Sequence, residues 1–157
     1  QKTSRSLRRC VVALDSEVLF GNDRTALRRF YLEAWRKLRA NEALEPLERQ
    51  VAEVVSEHPE YHALIESDAA LAQDYTPEMG QSNPFLHMGM HLAIREQLGG
   101  DRPAGIVTAY RALLLRLGDP HAVEHHMMEC LGQALWEAQR AGRAPDEAAY
   151  LECLRRA

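Results

Sequence analysis

The chain is short of several features that usually announce a function. It has three cysteines, Cys10, Cys130 and Cys153, widely spaced and with no Cys-x-x-Cys pair. That excludes a zinc ribbon and gives no reason to expect a disulfide framework. Free thiols are the expectation, and they suit a reducing cytoplasm. Lysine is almost absent, occurring only as Lys2 and Lys37, so arginine carries the positive charge. The formal net charge of −4 offers no basic surplus for general nucleic-acid binding. No apolar run approaches the length of a membrane span. The run from Cys10 to Leu14 is too short for a signal-peptide core, and Asp15 ends it. There is no Gly-rich phosphate loop after a strand, no Ser or Cys in a nucleophile setting, and no haem-attachment motif.

What is present is helical. The 157 residues are 46% hydrophobic, enough for one domain with a sizeable core. Residues 1–21 show neither periodicity nor a cap and read as a mobile extension, with the helical domain over residues 22–157. Asn22 or Asp23 opens an amphipathic helix with Leu27, Phe30, Tyr31, Ala34, Trp35 and Leu38 on one face. Its arginines read as a solvated face in preference to a phosphate-binding stripe. Pro46 starts the next helix, with Leu47, Val51, Val54 and Val55 as its stripe. Pro59 interrupts, and a short helical segment with His62, Leu64 and Ile65 follows. Residues 73–83 are crowded with turn formers.

Asn83 then caps a helix with Pro84 at its first position, running to about Leu98 before Gly99-Gly100. Pro103 is expected to start a helix that Gly118 ends. Asp119 and Pro120 begin the longest helix, which reaches Ala141 before Gly142. Pro145 and Asp146 open the last one. No segment alternates as a strand does. The fold class is therefore all-α, a single-domain helical bundle of six or seven helices.

Two His pairs stand out. His87 and His91 are four apart, as are His121 and His125. Residues i and i+4 share a helix face. His87 and His91 fall with Ile94 and Leu98, so that pair looks inward. On the long helix, Glu124 falls inside the apolar sector of Met128, Leu131, Leu135 and Ala138, with His121 and His125 at its edge. His126 points away from it. If the helix at 84–98 packs near the helix at 120–141, the four imidazoles can share one metal ion, zinc or iron preferred. His58 and His62 make a third pair by count, but Pro59 breaks it, and it is set aside. Asp101, Asp119, Glu129 and Asn83 are candidate acceptors for the second ring nitrogens.

A carboxylate on an apolar face is costly unless a metal, an imidazolium or an arginine relieves it. His121-x-x-Glu124-His125 also fits the pattern of inverted-motif zinc peptidases, in which the Glu is the general base. Glu124 is therefore the catalytic candidate of a hydrolase reading, although only a short stretch follows His125 to supply a third ligand. A metal-free His–Glu network that fixes helix register explains the same residues. Met88, Met90, Met127 and Met128 suit core filling better than copper binding. Surplus apolar surface would also fit an interaction or scaffold domain, with a homodimer as its simplest partner.

The segments Asn83–Gln97, Asp119–Arg140 and Pro145–Arg156, with Phe20–Arg24 and Pro46–Glu48, resemble a bacterial family catalogued only as a domain of unknown function. The likeness spans about residues 19–157. It implies a small cytoplasmic bacterial protein and brings no mechanism, substrate or functional residue with it.

Overall fold

The computed structural model describes residues 24–67 and 83–157. The proposed extension, the cap at Asn22 or Asp23, Cys10 and most of the loop at 73–83 lie outside those residues. Among the described residues there are seven α-helices, one 3-10 turn and no strand, so the all-α expectation is met. The helices are α1 (Arg24–Arg39), α2 (Pro46–Ser56), α3 (His62–Ile65), α4 (Pro84–Gly100), α5 (Ile106–Leu117), α6 (Pro120–Ala141) and α7 (Glu147–Arg155). The 3-10 turn, Pro59–Tyr61, precedes α3. Contacts gather into two compact units, one ending at Leu92 and the other running from Ala93 to the end.

In the first unit α1 packs on α2. Tyr31, Ala34 and Trp35 meet Val51, Ala52, Val54 and Val55, and Ile65, Phe85 and Met88 join the same core. This is the apolar stripe that the helical period predicts, except on α2, where Leu47 is exposed and Ala52 is in the core instead. Pro46 is the first residue of α2, where its missing N–H costs nothing. Glu48 accepts the Glu45 N–H at 3.0 Å, closing the helix start. The arginines of α1 behave mainly as a solvated face: Arg36 pairs with Glu33 and Glu42, both at 2.7 Å, and Arg39 with Glu66 at 3.1 Å. Arg28 is the exception, buried with its guanidinium 5.0 Å from the Phe85 ring centre.

In the second unit α5, α6 and α7 pack on one another. Ile106, Leu113, Val123, Met127, Leu131 and Leu154 are fully buried. Each contributes roughly 1.5–3 kcal/mol relative to exposure. Met127 and Met128 are core filler, as expected. The carboxylate of Asp119 accepts from the N–H groups of His121 and Ala122, and Gly142 ends α6 with φ of 64°. Arg95 on α4 joins Glu124 on α6, so the expected neighbourhood of those two helices is present at this pair. The Tyr150 hydroxyl donates to Gln97 Oε1 at 2.7 Å, tying α7 to α4.

Two expectations are corrected. α5 starts at Ile106, not at Pro103, because the Asp101 carboxylate takes the Gly105 and Val107 N–H groups at 3.4 and 3.1 Å and holds the intervening residues in a turn. The cysteines are not all free: Cys130 and Cys153 form a disulfide, with Cα atoms 5.8 Å apart, joining α6 to α7. No described helix is long and apolar enough to cross a membrane.

Candidate metal centre

The first unit contains a cluster of three imidazoles that the sequence disclosed only in part. His87 and His91 lie one turn apart on α4, as the spacing requires, with ring centres 4.9 Å apart. The third ring is His58, the residue that Pro59 appears in sequence to disqualify. Its ring centre is 4.7 Å from that of His91 and 5.1 Å from that of His87. His58 and His91 are almost completely buried, at 1% and 0% exposure, and His87 is half-buried. The three offer ligand atoms within 4.8 Å of one another.

Pro59 ends helical geometry without taking His58 away. His58 caps the 3-10 turn with φ −121° and ψ 66°, and its N–H bonds the Val55 carbonyl at 3.0 Å. The chain thus turns back at the C-terminus of α2 and aims the ring at α4. The Nδ1 of His58 is 2.7 Å from the Val54 carbonyl oxygen. A carbonyl only accepts, so Nδ1 carries the hydrogen, and in the neutral form of the ring Nε2 presents its lone pair to the cluster. Three of the four acceptors expected from the sequence do other work: Asn83 receives the Phe85 and Leu86 N–H groups, while Asp101 and Asp119 hold backbone at helix starts.

The Nε2 atoms converge. His91 Nε2 lies 3.2 Å from His58 Nε2 and 3.3 Å from His87 Nε2. One hydrogen on His91 Nε2 cannot serve both neighbours with good geometry. A cation held by three lone pairs satisfies all of them. Metal–nitrogen bonds of ~2.0–2.1 Å at the tetrahedral angle would set ligand nitrogens about 3.3–3.4 Å apart. The His91–His87 separation is of that size, and the His91–His58 separation is slightly shorter.

Around the cluster, Tyr61 stacks on His58 at 5.6 Å between ring centres and meets His87 edge-on at 6.1 Å. Burial, with help from the Glu60 charge, raises the Tyr61 phenol above its ordinary value, so it is a neutral aromatic wall. His62 is directed elsewhere: its Nε2 is 2.7 Å from the Val55 carbonyl, and its ring packs 4.3 Å from Trp35. It belongs to the support of the α2 terminus.

The remaining sequence candidates are in the second unit. His121 and His125 pair there one turn apart, with ring centres 4.2 Å apart. Glu124 is 9% exposed, as its place in the apolar sector of α6 predicts. Its oxygens accept from Arg95 Nε at 3.0 Å and Arg95 Nη2 at 3.4 Å. An arginine, one of the three sources of relief named for this carboxylate, is in direct contact with it. His126 does not simply face solvent: its Nε2 is 3.7 Å from the Cys130 sulfur.

Residues 23–156 match a family model described as Domain of unknown function (DUF1841). The chain belongs to this family. The resemblance carried by the segments around Asn83, Asp119 and Pro145 is to a family of that kind. No curated protein and no solved structure matches the chain. The DUF1841 match includes His58, His87 and His91 within its span, and what these residues do must be read from their chemistry.

Proposed function

We propose that this DUF1841 protein is a metal-binding helical protein in which His58, His87 and His91 hold a divalent transition-metal ion, zinc or iron. The observation that carries the reading is that His91 Nε2 lies close to tetrahedral-edge spacing from both His58 Nε2 and His87 Nε2, with His58 Nδ1 engaged by the Val54 carbonyl. Three imidazoles suit zinc and iron, and leave a fourth tetrahedral position for water or a further donor. The test is elemental analysis of protein purified without a His-tag, with zinc and iron titrated separately. Near-stoichiometric metal in the wild type, lost in a His58→Ala/His91→Ala double variant, is the expected result. Folded protein that takes up neither metal and gains no thermal stability from them would sink it. His121→Ala and His125→Ala variants, measured in parallel, test the four-imidazole reading of the sequence.

A second reading is a metal-free interaction domain, with a second copy of the chain as partner. Leu115 is 89% exposed and Trp136 56%, and large apolar side chains so exposed favour a contact surface. Light scattering across a concentration series tests this reading: a strict monomer at every concentration removes the homodimer. A cytoplasmic location is part of the first reading, and fractionation of the source cells tests it.

A further inference from the structure

The second unit holds a group that the metal reading does not use. The Cys130–Cys153 bond joins α6 to α7, and its two sulfurs have different surroundings. Cys130 is 2% exposed, whereas Cys153 is half-buried. Both line a cavity of about 420 Å³, together with His126, Gln133, Arg143 and Tyr150. That volume is in the range that admits a small molecule. His126, one turn before Cys130 on α6, sets its Nε2 3.7 Å from the Cys130 sulfur.

We propose that Cys130–Cys153 is a thiol–disulfide exchange site whose reaction partner is a dithiol reductant entering through this cavity. The reductant's thiolate attacks Cys153 Sγ, the more accessible sulfur. The sulfur–sulfur bond breaks, and its electron pair leaves on Cys130 Sγ. The His126 N–H donates to that sulfur as its charge develops. The second thiolate of the reductant then attacks its own sulfur in the mixed disulfide and releases Cys153. Each cysteine thiolate takes up one proton. Two electrons and two protons pass to the protein, and the dithiol becomes a disulfide. Reduction leaves the unit folded, because Leu154 remains in the core and the Tyr150 hydroxyl still bonds Gln97. What changes is the covalent tie between α6 and α7.

The experiment uses the full chain in native buffer with dithiothreitol as the reductant. Samples are acid-quenched and alkylated, and the peptides holding Cys130 and Cys153 are weighed by mass spectrometry. A parallel sample is treated with excess 2-mercaptoethanol to trap the mixed disulfide. The expected results are complete reduction of folded protein, an adduct on Cys153, and recovery of the bond on reoxidation. His126→Gln should slow reduction about tenfold, while thermal unfolding of the oxidised protein stays unchanged. A bond that resists dithiothreitol until urea unfolds the chain overturns the proposal. So does an adduct on Cys130, or a His126→Gln rate equal to wild type.

Discussion

The Nδ1–H of His58 points at the carbonyl oxygen of Val54, 2.7 Å away. This contact turns a buried histidine into a directed donor. With the tautomer set, Nε2 needs no proton rearrangement before it can bind a metal, and fixing a ligand's orientation in this way is what outer partners do in metal sites.

His58→Ala is therefore expected to lower zinc affinity by at least about 100-fold, more than loss of an outer partner usually costs. His62→Ala should leave zinc affinity unchanged, because His62 bonds Val55 and packs on Trp35. Competition titration against a chromogenic chelator checks both. Equal losses in the two variants would place the metal elsewhere.

The second prediction concerns acid stability. Lys37 Nζ donates to Glu48 at 2.8 Å, and the Glu45 N–H adds a second bond. The lysine first, and the backbone N–H second, hold the Glu48 carboxyl below its ordinary value. A depressed folded value means that this contribution is present above the usual carboxylate range and is lost as pH falls through the folded value. Glu48→Gln should be less stable than wild type at pH 7, with the gap narrowing under strongly acidic conditions. Urea unfolding at several pH values checks this, and a gap that widens on acidification contradicts it.

How far the sequence reached is clearest at single residues. Asn83, Pro84, Asp119, Pro120 and Gly142 mark helix ends by local chemistry, and each sits where that chemistry puts it. His87 with His91 was legible because a helix converts spacing into a shared face. His58 was not, since its approach to α4 depends on a chain reversal that no helical period encodes. The Cys130–Cys153 bond was missed for a similar reason. Its partners are 23 residues apart on different helices, with no local spacing signature. Glu124 was read correctly as buried, but Arg95, its partner, was visible only once α4 and α6 had been placed together.

Glu124→Gln is expected to lower stability by about 1–3 kcal/mol, typical for disturbing a buried charge-assisted hydrogen bond. Arg95→Met should cost a similar amount, and the double variant less than the sum, as expected of residues in direct contact. Denaturant titrations of the four proteins give the coupling. Additive losses would mean that the pair is not a unit. Zinc content should be unaffected by Glu124→Gln; loss of metal without loss of stability would restore Glu124 as a metal-site residue.

Tyr150→Phe removes the hydroxyl bonded to the buried Gln97. A loss of roughly 1–3 kcal/mol is expected, because the amide oxygen is left buried without that donor. Hydrogen exchange should speed up in α7. A variant as stable as wild type would show that the contact contributes little.

The end of α2 has a consequence for how this protein tolerates sequence change. Val54 and Val55 each present a carbonyl to an imidazole, one to His58 and one to His62. Successive residues on a helix point about 100° apart. One residue inserted or deleted within α2 between Val51 and Val54 would turn Val54, Val55 and the His58 that follows them together about the helix axis, away from His87 and His91 on α4, while leaving composition nearly intact. The proposed metal site is thus indexed to the phase of a neighbouring helix. Drift in loop length elsewhere is tolerable, whereas a frame slip inside α2 would cost the imidazole cluster its alignment even if every histidine were kept.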